Sequence, residues 1–215
     1  MNKTEVIQKL ELKIKECQKC DLYKEAQKAV PGSGNIDADI VFVGEAPGAR
    51  EDATGIPFVG RAGKLLDFLL SEVGLRRSDV WIGNVIKHRP PGNRDPTTAE
   101  IAACEPYLTV QIRTIRPKLI VTLGRFAMYY FYKGGKISQD HGNLIKISDS
   151  KFGFRTFIYP VYHPAAGLRN GSLRAALEED FRRIPQVLEQ IKLDQVENII
   201  SSSAEEERGQ MKLNL

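Results

Sequence analysis

The hydrophobic positions of this chain fall into two patterns. Short continuous apolar runs occur at Ile40-Val41-Phe42-Val43, at Val80-Trp81-Ile82 with Val85-Ile86 just beyond, at Leu119-Ile120-Val121-Thr122-Leu123, at Leu144–Ile147 and at Phe154–Val161. Runs of this length, rich in β-branched and aromatic residues, predict buried strands. Between them the apolar residues recur at helical spacing. Val6, Leu10 and Ile14 mark a helix over residues 4–16, and Leu65, Leu66, Leu69 and Leu70 mark another over 61–73. Thr97 or Thr98 caps a helix running to about Arg116. Residues 125–132 form a short helix and residues 172–192 a charged amphipathic one. The stretches 45–60, 88–96 and 133–143, punctuated by glycine and proline, read as loops. This alternation predicts an α/β fold with a mostly parallel sheet between helical layers.

Composition narrows the setting. The chain has 215 residues and is 42% apolar, enough for one sizeable core. The expectation is a single domain over residues 1–195 and a polar, disordered tail over 196–215. A net charge of +4 and a pI near 8.9 are compatible with nucleic acid but do not by themselves point to it. The charged N-terminus lacks a secretory pattern. No apolar run approaches the roughly 18 residues of a membrane span, and three cysteines make no secreted disulfide framework. A cytoplasmic, monomeric enzyme is expected.

Candidate chemistry stands where the predicted strands end. The first run stops at Gly44, a carboxylate, Glu45, follows, and Pro47-Gly48 forces a tight turn. Ligands of open α/β sheets bind at the carboxyl ends of strands, which makes Glu45 a candidate site residue. Asn84 closes the second strand, His163 opens the turn after the last, and Phe58 lies on the long loop after the first. A carboxamide presents a donor beside an acceptor, matching the O4 and N3–H edge of uracil. An aromatic face can stack on a flipped base, and a histidine can donate to an oxygen that gains negative charge. Each also has a plainer reading: Phe58 as core, Asn84 as a turn former, His163 as a loop histidine, Glu45 as a solvated turn residue.

A second group is Cys17-x-x-Cys20, the one remaining cysteine, Cys104, and His88 in the proline-rich loop before the Cys104 helix. Three thiolates and an imidazole suit structural zinc or an iron–sulfur cluster, and spacing alone favours zinc. Buried free cysteines are the plain alternative. Gly55–Gly60 resembles part of a P-loop, but Arg61-Ala62 replaces its Lys-Ser/Thr, and no G-x-G-x-x-G follows a strand. Neither nucleotide-binding loop is supported.

Four motifs, G-E-A-P-G-x-x-E-D, P-F-V-G-R-A-G-K-L-L-D, N-V-I-K-x-R-P-P-x-N-R-x-P and H-P-A-A, occur in that order. Together they resemble the family 4 uracil-DNA glycosylases over residues about 10–190. The resemblance implies a three-layer α/β/α sandwich around a mostly parallel, four-stranded sheet. It implies a [4Fe–4S] cluster on Cys17, Cys20, His88 and Cys104, and monofunctional removal of uracil from DNA. By position, Glu45 and Ala46 would line the uracil pocket and the attacking-water site, and Glu51 would face uracil C5 and block the thymine methyl. Phe58 would stack on the base, Asn84 would read O4 and N3–H, and His163 would donate to O2 as the glycosidic bond breaks. Lys87, Arg89, Arg94, Arg169 and Arg174 are candidates for phosphate contacts. Leu168, within Ala165–Asn170, is the candidate wedge that fills the gap left by the flipped base.

Two positions depart from the family pattern. His88 stands where family 4 usually has cysteine. A histidine there occurs in a related branch that crosslinks covalently to uracil-DNA, but that branch carries a basic insert ending in a nucleophilic histidine. Arg89–Pro96 has neither, so His88 is read as the fourth cluster ligand. A covalent uracil-DNA-binding protein is the runner-up, and a zinc-containing nucleic-acid-binding module a more distant alternative. The second departure is Gly167, where a larger residue is common. The last residues, Gln210 to Leu215, begin like a sliding-clamp-binding peptide but end before its two bulky apolar residues, so a solvated terminus is preferred to a clamp partner.

Overall fold

The computed structural model describes residues 1–147 and 151–194. The strands are β1 (Ser33–Gly34), β2 (Ile40–Gly44), β3 (Trp81–Asn84), β4 (Leu119–Leu123), β5 (Ile145–Ile147) and β6 (Thr156–Val161). The helices are α1 (Lys3–Lys15), α2 (Ala49–Thr54), α3 (Arg61–Glu72), α4 (Thr98–Ile115), α5 (Arg125–Phe131), α6 (Ile137–Asp140), α7 (Pro164–Gly167), α8 (Gly171–Arg182) and α9 (residues 184–194). One sheet runs in the order β1-β3-β2-β4-β6-β5.

Every residue of β2, β3, β4 and β6 is buried, as strands covered on both faces require. Successive side chains of a strand point to opposite faces. Ile40 and Phe42 therefore join Leu66, Leu69 and Leu70 of α3 and Phe181 of α8. Val41 and Val43 join Leu108 and Ile112 of α4 and Ala127 of α5 on the other face. The result is the expected three-layer α/β/α sandwich. A smaller cluster seats α1 on α4 through Leu10, Ile14 and Tyr107. Among the described residues no helix is long and apolar enough to cross a membrane.

The structure corrects several details. The four central strands, β3, β2, β4 and β6, are parallel, but β1 and β5 add antiparallel edges and make six strands. β3 ends at Asn84. Beyond it, Val85 and Ile86 still donate to Gly44 O and Glu45 O, at 2.9 and 3.1 Å, as the chain leaves the sheet. The two long loops each hold a short helix, α2 and α6. The helix expected over 172–192 is two helices, broken at Arg183, whose N–H turns back to Asp180 O at 3.3 Å. The expected tail lies outside the described residues.

Because the central strands are parallel, their carboxyl ends collect at one edge. The loop over that edge is pinned before α4. Thr97 Oγ1 accepts from Glu100 N at 3.2 Å, and Glu100 Oε2 accepts from Thr97 N at 2.8 Å. This is a reciprocal cap that satisfies two helix-end donors. Arg94 closes on the same carboxylate at 2.6 and 2.9 Å.

The Arg94 hydrogen bond holds the Glu100 carboxyl down at about 2. A folded-state value below the unfolded one means stability that is present above the unfolded value, about 4.3, and lost as pH falls toward about 2. Glu100→Gln is expected to lower stability by about 1–2 kcal/mol at neutral pH. In urea denaturation this deficit should narrow at about pH 3.

Candidate active site

The carboxyl ends of β2, β3, β4 and β6 open into a cleft of about 640 Å³. Glu45, Ala46, Glu51, Phe58, Asn84 and His163 all line it, together with Arg94 and Arg169. Residues from three stretches of the chain, 45–58, 84–94 and 163–169, thus meet in one concavity.

Parallel pairing sets Gly44 beside Asn84. A Cβ on Gly44 would lie 2.5 Å from Asn84 Oδ1 and 2.5 Å from Phe58 Cζ. Glycine is therefore required, and its missing side chain brings the carboxamide and the ring together. Asn84 is 1% exposed and its Oδ1 has no hydrogen-bond partner. Buried polar atoms are normally paired, so an orphan acceptor on a residue that lines the cleft is a candidate partner for a ligand's donor.

Phe58 has φ of 53°, a left-handed backbone that bulky residues seldom adopt. Two charged groups brace it. Glu51 Oε1 accepts from the N–H groups of Val59 and Gly60, at 2.8 and 2.7 Å. Arg77 donates to Pro57 O at 3.0 Å and to Phe58 O, and also pairs with Asp67. Neighbouring Asp52 works on the opposite side of α2, where Oδ1 accepts from Gln27 N at 2.9 Å. The adjacent acids of α2 thus tie two loops to one helix.

His163 lies with its ring centroid 5.8 Å from that of Phe58. Its Nδ1 accepts from Ala165 N at 3.1 Å, which assigns the proton of the neutral ring to Nε2. Burial pushes its pKa down to about 4; Arg169 adds to the fall and Glu51 opposes it. Gly124, at φ 89°, allows the approach, since a Cβ there would meet His163 Cβ at 2.9 Å. Glu45 is half-buried at the end of β2. Burial raises its carboxyl above the usual range, Asp95 adds to this, and Arg125 opposes.

The sequence model of the uracil DNA glycosylase superfamily matches residues 31–188. The type-4 uracil-DNA glycosylase of Saccharolobus solfataricus is 49% identical over 181 residues, which are 81% of this chain and 83% of its own length. Those of Archaeoglobus fulgidus and Thermotoga maritima are each 47% identical, over 81% and 80% of this chain and 89% and 88% of theirs. This chain belongs to the type-4 uracil-DNA glycosylases. A type-5 uracil-DNA glycosylase of Pyrobaculum aerophilum is more distant, at 29% identity over 64% of the chain.

Against the other type-4 expectations the structure is more selective. Lys87, expected on phosphates, is fully buried. Its Nζ donates to Asn84 O at 2.8 Å and Gln111 Oε1 at 2.9 Å, so it props the strand end and does not face DNA. Leu168, the expected wedge, is half-buried and packs on the core, and it is absent from the cleft lining. Arg89 is half-buried with Nε on Asn93 Oδ1 at 2.8 Å, and Arg174 pairs with Glu178 along α8. Arg169 is exposed on the cleft.

The cysteines come together in part. Burial raises Cys104 to about 11, opposed by the Lys87 backbone N–H at its sulfur and increased by Cys20 and Cys17. The three thiols therefore lie within reach of one another's fields. His88 is buried; burial lowers its pKa, and the charge it feels is Asp52. Among the described residues no three His, Cys, Asp or Glu side chains converge as ligands of a single metal ion.

Sequence reasoning missed Arg77, Asp95, Arg125 and Tyr162. A signal existed for Arg125: β4 ends in glycine followed by a charged residue, as β2 does in Gly44-Glu45. Arg77 had none, because its contact is to backbone across the α3 turn.

Two outcomes are expected. Gly44→Ala should lower stability by about 1–3 kcal/mol in urea melts, since the methyl overpacks Asn84 and Phe58. Two-bond 1H–15N correlation should find His163 neutral, with its proton on Nε2, at neutral pH and down to about pH 5.

Proposed function

We propose that the protein hydrolyses the N-glycosidic bond of deoxyuridine in DNA, releasing uracil and leaving an abasic site. The observation that carries this reading is the buried, unpartnered Asn84 Oδ1 beside Phe58 and His163. The names of the relatives, uracil-DNA glycosylases, point the same way.

In this reading the uridine leaves the stack and enters the cleft. Uracil N3–H donates to Asn84 Oδ1, and Asn84 Nδ2 donates to O4. Cytosine offers an acceptor at N3 and a donor at the exocyclic amine, so both contacts fail and the orphan acceptor stays unpaired. Such a loss costs about 1–3 kcal/mol per group. Phe58 stacks on the base, held in its strained backbone by Arg77 and Glu51. Glu51, fixed by Val59 and Gly60, occupies the space a thymine methyl needs.

Bond breaking leaves negative charge on uracil and positive charge on the sugar. Neutral His163 donates from Nε2 to O2 as that charge develops, without a proton having to move. Glu45 orients the water that attacks the sugar. Among the described residues no lysine lines the cleft, which favours hydrolysis without a Schiff base and hence without strand cleavage. His88 is buried and outside the cleft lining, so nothing in its position supports a covalent attack on DNA.

We assign a [4Fe–4S] cluster to Cys17, Cys20, Cys104 and His88. Three neighbouring thiols with the buried imidazole of His88 are a donor set that such a cluster would take. Its ligands would tie the segment after α1 to α4 and to the loop leaving Asn84. It takes no part in the excision steps above.

Incubation with an oligonucleotide carrying one uracil should release free uracil. Asn84→Ala should cut that rate by about a hundredfold with little change in DNA affinity, because phosphate contacts set binding and base contacts set selection. Equal rates for variant and parent would remove Asn84 from the reading, and a shifted band on a denaturing gel would promote covalent attachment. Protein purified in air should be brown and contain iron and sulfide, and Cys104→Ala should lose both. Stoichiometric zinc without iron would refute the cluster.

A further inference from the structure

The uracil cleft has a neighbour. Asp95, Arg125 and Ile137 also line a second pocket of about 570 Å³, with Phe126, Met128, Tyr129 and Lys136 as further walls. Its apolar side is built by buried Met128 and half-buried Phe126. Tyr129 remains 56% exposed, so packing of the core does not account for its ring. Arg125 lies over the Phe126 ring at 4.7 Å and pairs with Asp95 at 2.6 Å. Both members of that pair are well exposed, and an exposed pair contributes little to stability. A competing anion can therefore take the arginine from Asp95. Lys136 is exposed on the same pocket.

An exposed aromatic ring among cations is how proteins hold unstacked bases and their phosphates. The pocket shares a wall with the cleft that takes the uridine, so a strand entering one runs past the other. An apolar peptide would offer no charge to Lys136 and none to compete with Asp95 for Arg125, whereas a nucleotide supplies both a flat ring and a phosphate.

We propose that this second pocket binds a nucleotide neighbouring the uridine when the substrate is single-stranded DNA. The base stacks on Tyr129 and Phe126, and its phosphate meets Arg125 and Lys136. In a duplex the neighbouring bases are paired and stacked, so the pocket adds nothing there. The proposal rests on the uracil-excision reading.

The test compares steady-state kinetics on one uracil-containing sequence, single-stranded and duplex, for the parent protein, Tyr129→Ser and Lys136→Ser. Both side chains are exposed, and thermal melts confirm folding. Tyr129→Ser should raise KM on the single strand about five- to tenfold, within the range for losing one base–aromatic stack. Its kcat and its duplex KM should change less than about twofold. Lys136→Ser should raise the single-strand KM in the same selective way. In the parent, an abasic spacer placed next to the uridine on the correct side should reproduce the KM rise, and it should add nothing to Tyr129→Ser.

An arm independent of activity uses a uracil-free single strand carrying 2-aminopurine. Its fluorescence should change on binding the parent and not on binding Tyr129→Ser. Equal KM changes on single strand and duplex, or indifference to abasic spacers on both sides, overturn the proposal. A 2-aminopurine response lost in Tyr129→Ser, in a protein that releases no uracil, would sink the excision reading and leave the pocket standing.

Discussion

Gly44 has no room for a side chain, and the site depends on that. Parallel pairing of β2 with β3 puts this glycine beside Asn84. The missing methyl lets a buried carboxamide and the edge of Phe58 occupy the same few ångströms. Any other residue would push one of them away. Close packing makes such a position intolerant of even one added carbon. Gly124 does the same for His163 at the end of β4. Two strand-end glycines thus set the distances between the groups that face the cleft, and the parallel sheet puts both at the same edge.

The surrounding charges hold backbone in place more than they hold ligand. Glu51 fixes the N–H groups after Phe58, Arg77 fixes the carbonyls before and at it, and Asp52 fixes the segment on the far side of α2. Strained backbone persists only where its surroundings over-determine it, and Phe58 is braced from both sides. Lys87 extends this logic to the interior. Its ammonium supports the Asn84 carbonyl and Gln111, and Gln111 in turn donates to Pro31 O at 2.8 Å. Burial lowers Lys87 to about 8. Its backbone N–H meets the Cys104 sulfur, so one residue links the strand end at Asn84 to the cysteine group.

Protonation at the cleft follows from the same burial. Desolvation disfavours charge on both Glu45 and His163, but to different ends. The histidine is left a neutral donor across the physiological range. The carboxyl is only displaced upward, with Arg125 opposing the shift. The same burial thus favours the neutral form of both groups, one a hydrogen-bond donor and the other a carboxyl displaced toward protonation.

Much of this was legible in the residues themselves. The continuous apolar runs gave the parallel strands because only strands covered on both faces need them. The helical spacing of Leu65 to Leu70 gave α3, and the strand-end positions of Glu45, Asn84 and His163 gave the edge where they meet. Lys87, Leu168 and Glu51 were harder to read, because local sequence does not report which way a side chain turns. A lysine in a basic, proline-rich segment reads as a phosphate contact until the fold encloses it. A leucine in a turn reads as a wedge, and only the fold shows that part of its side chain also packs on the core. Whether four ligands converge, and whether Glu51 can brace the backbone after Phe58 while it lines the cleft, depends on how separate segments pack. The chain by itself determined the elements, their order and the chemistry available, and the tertiary structure decided which of those groups face the cleft and which hold it open.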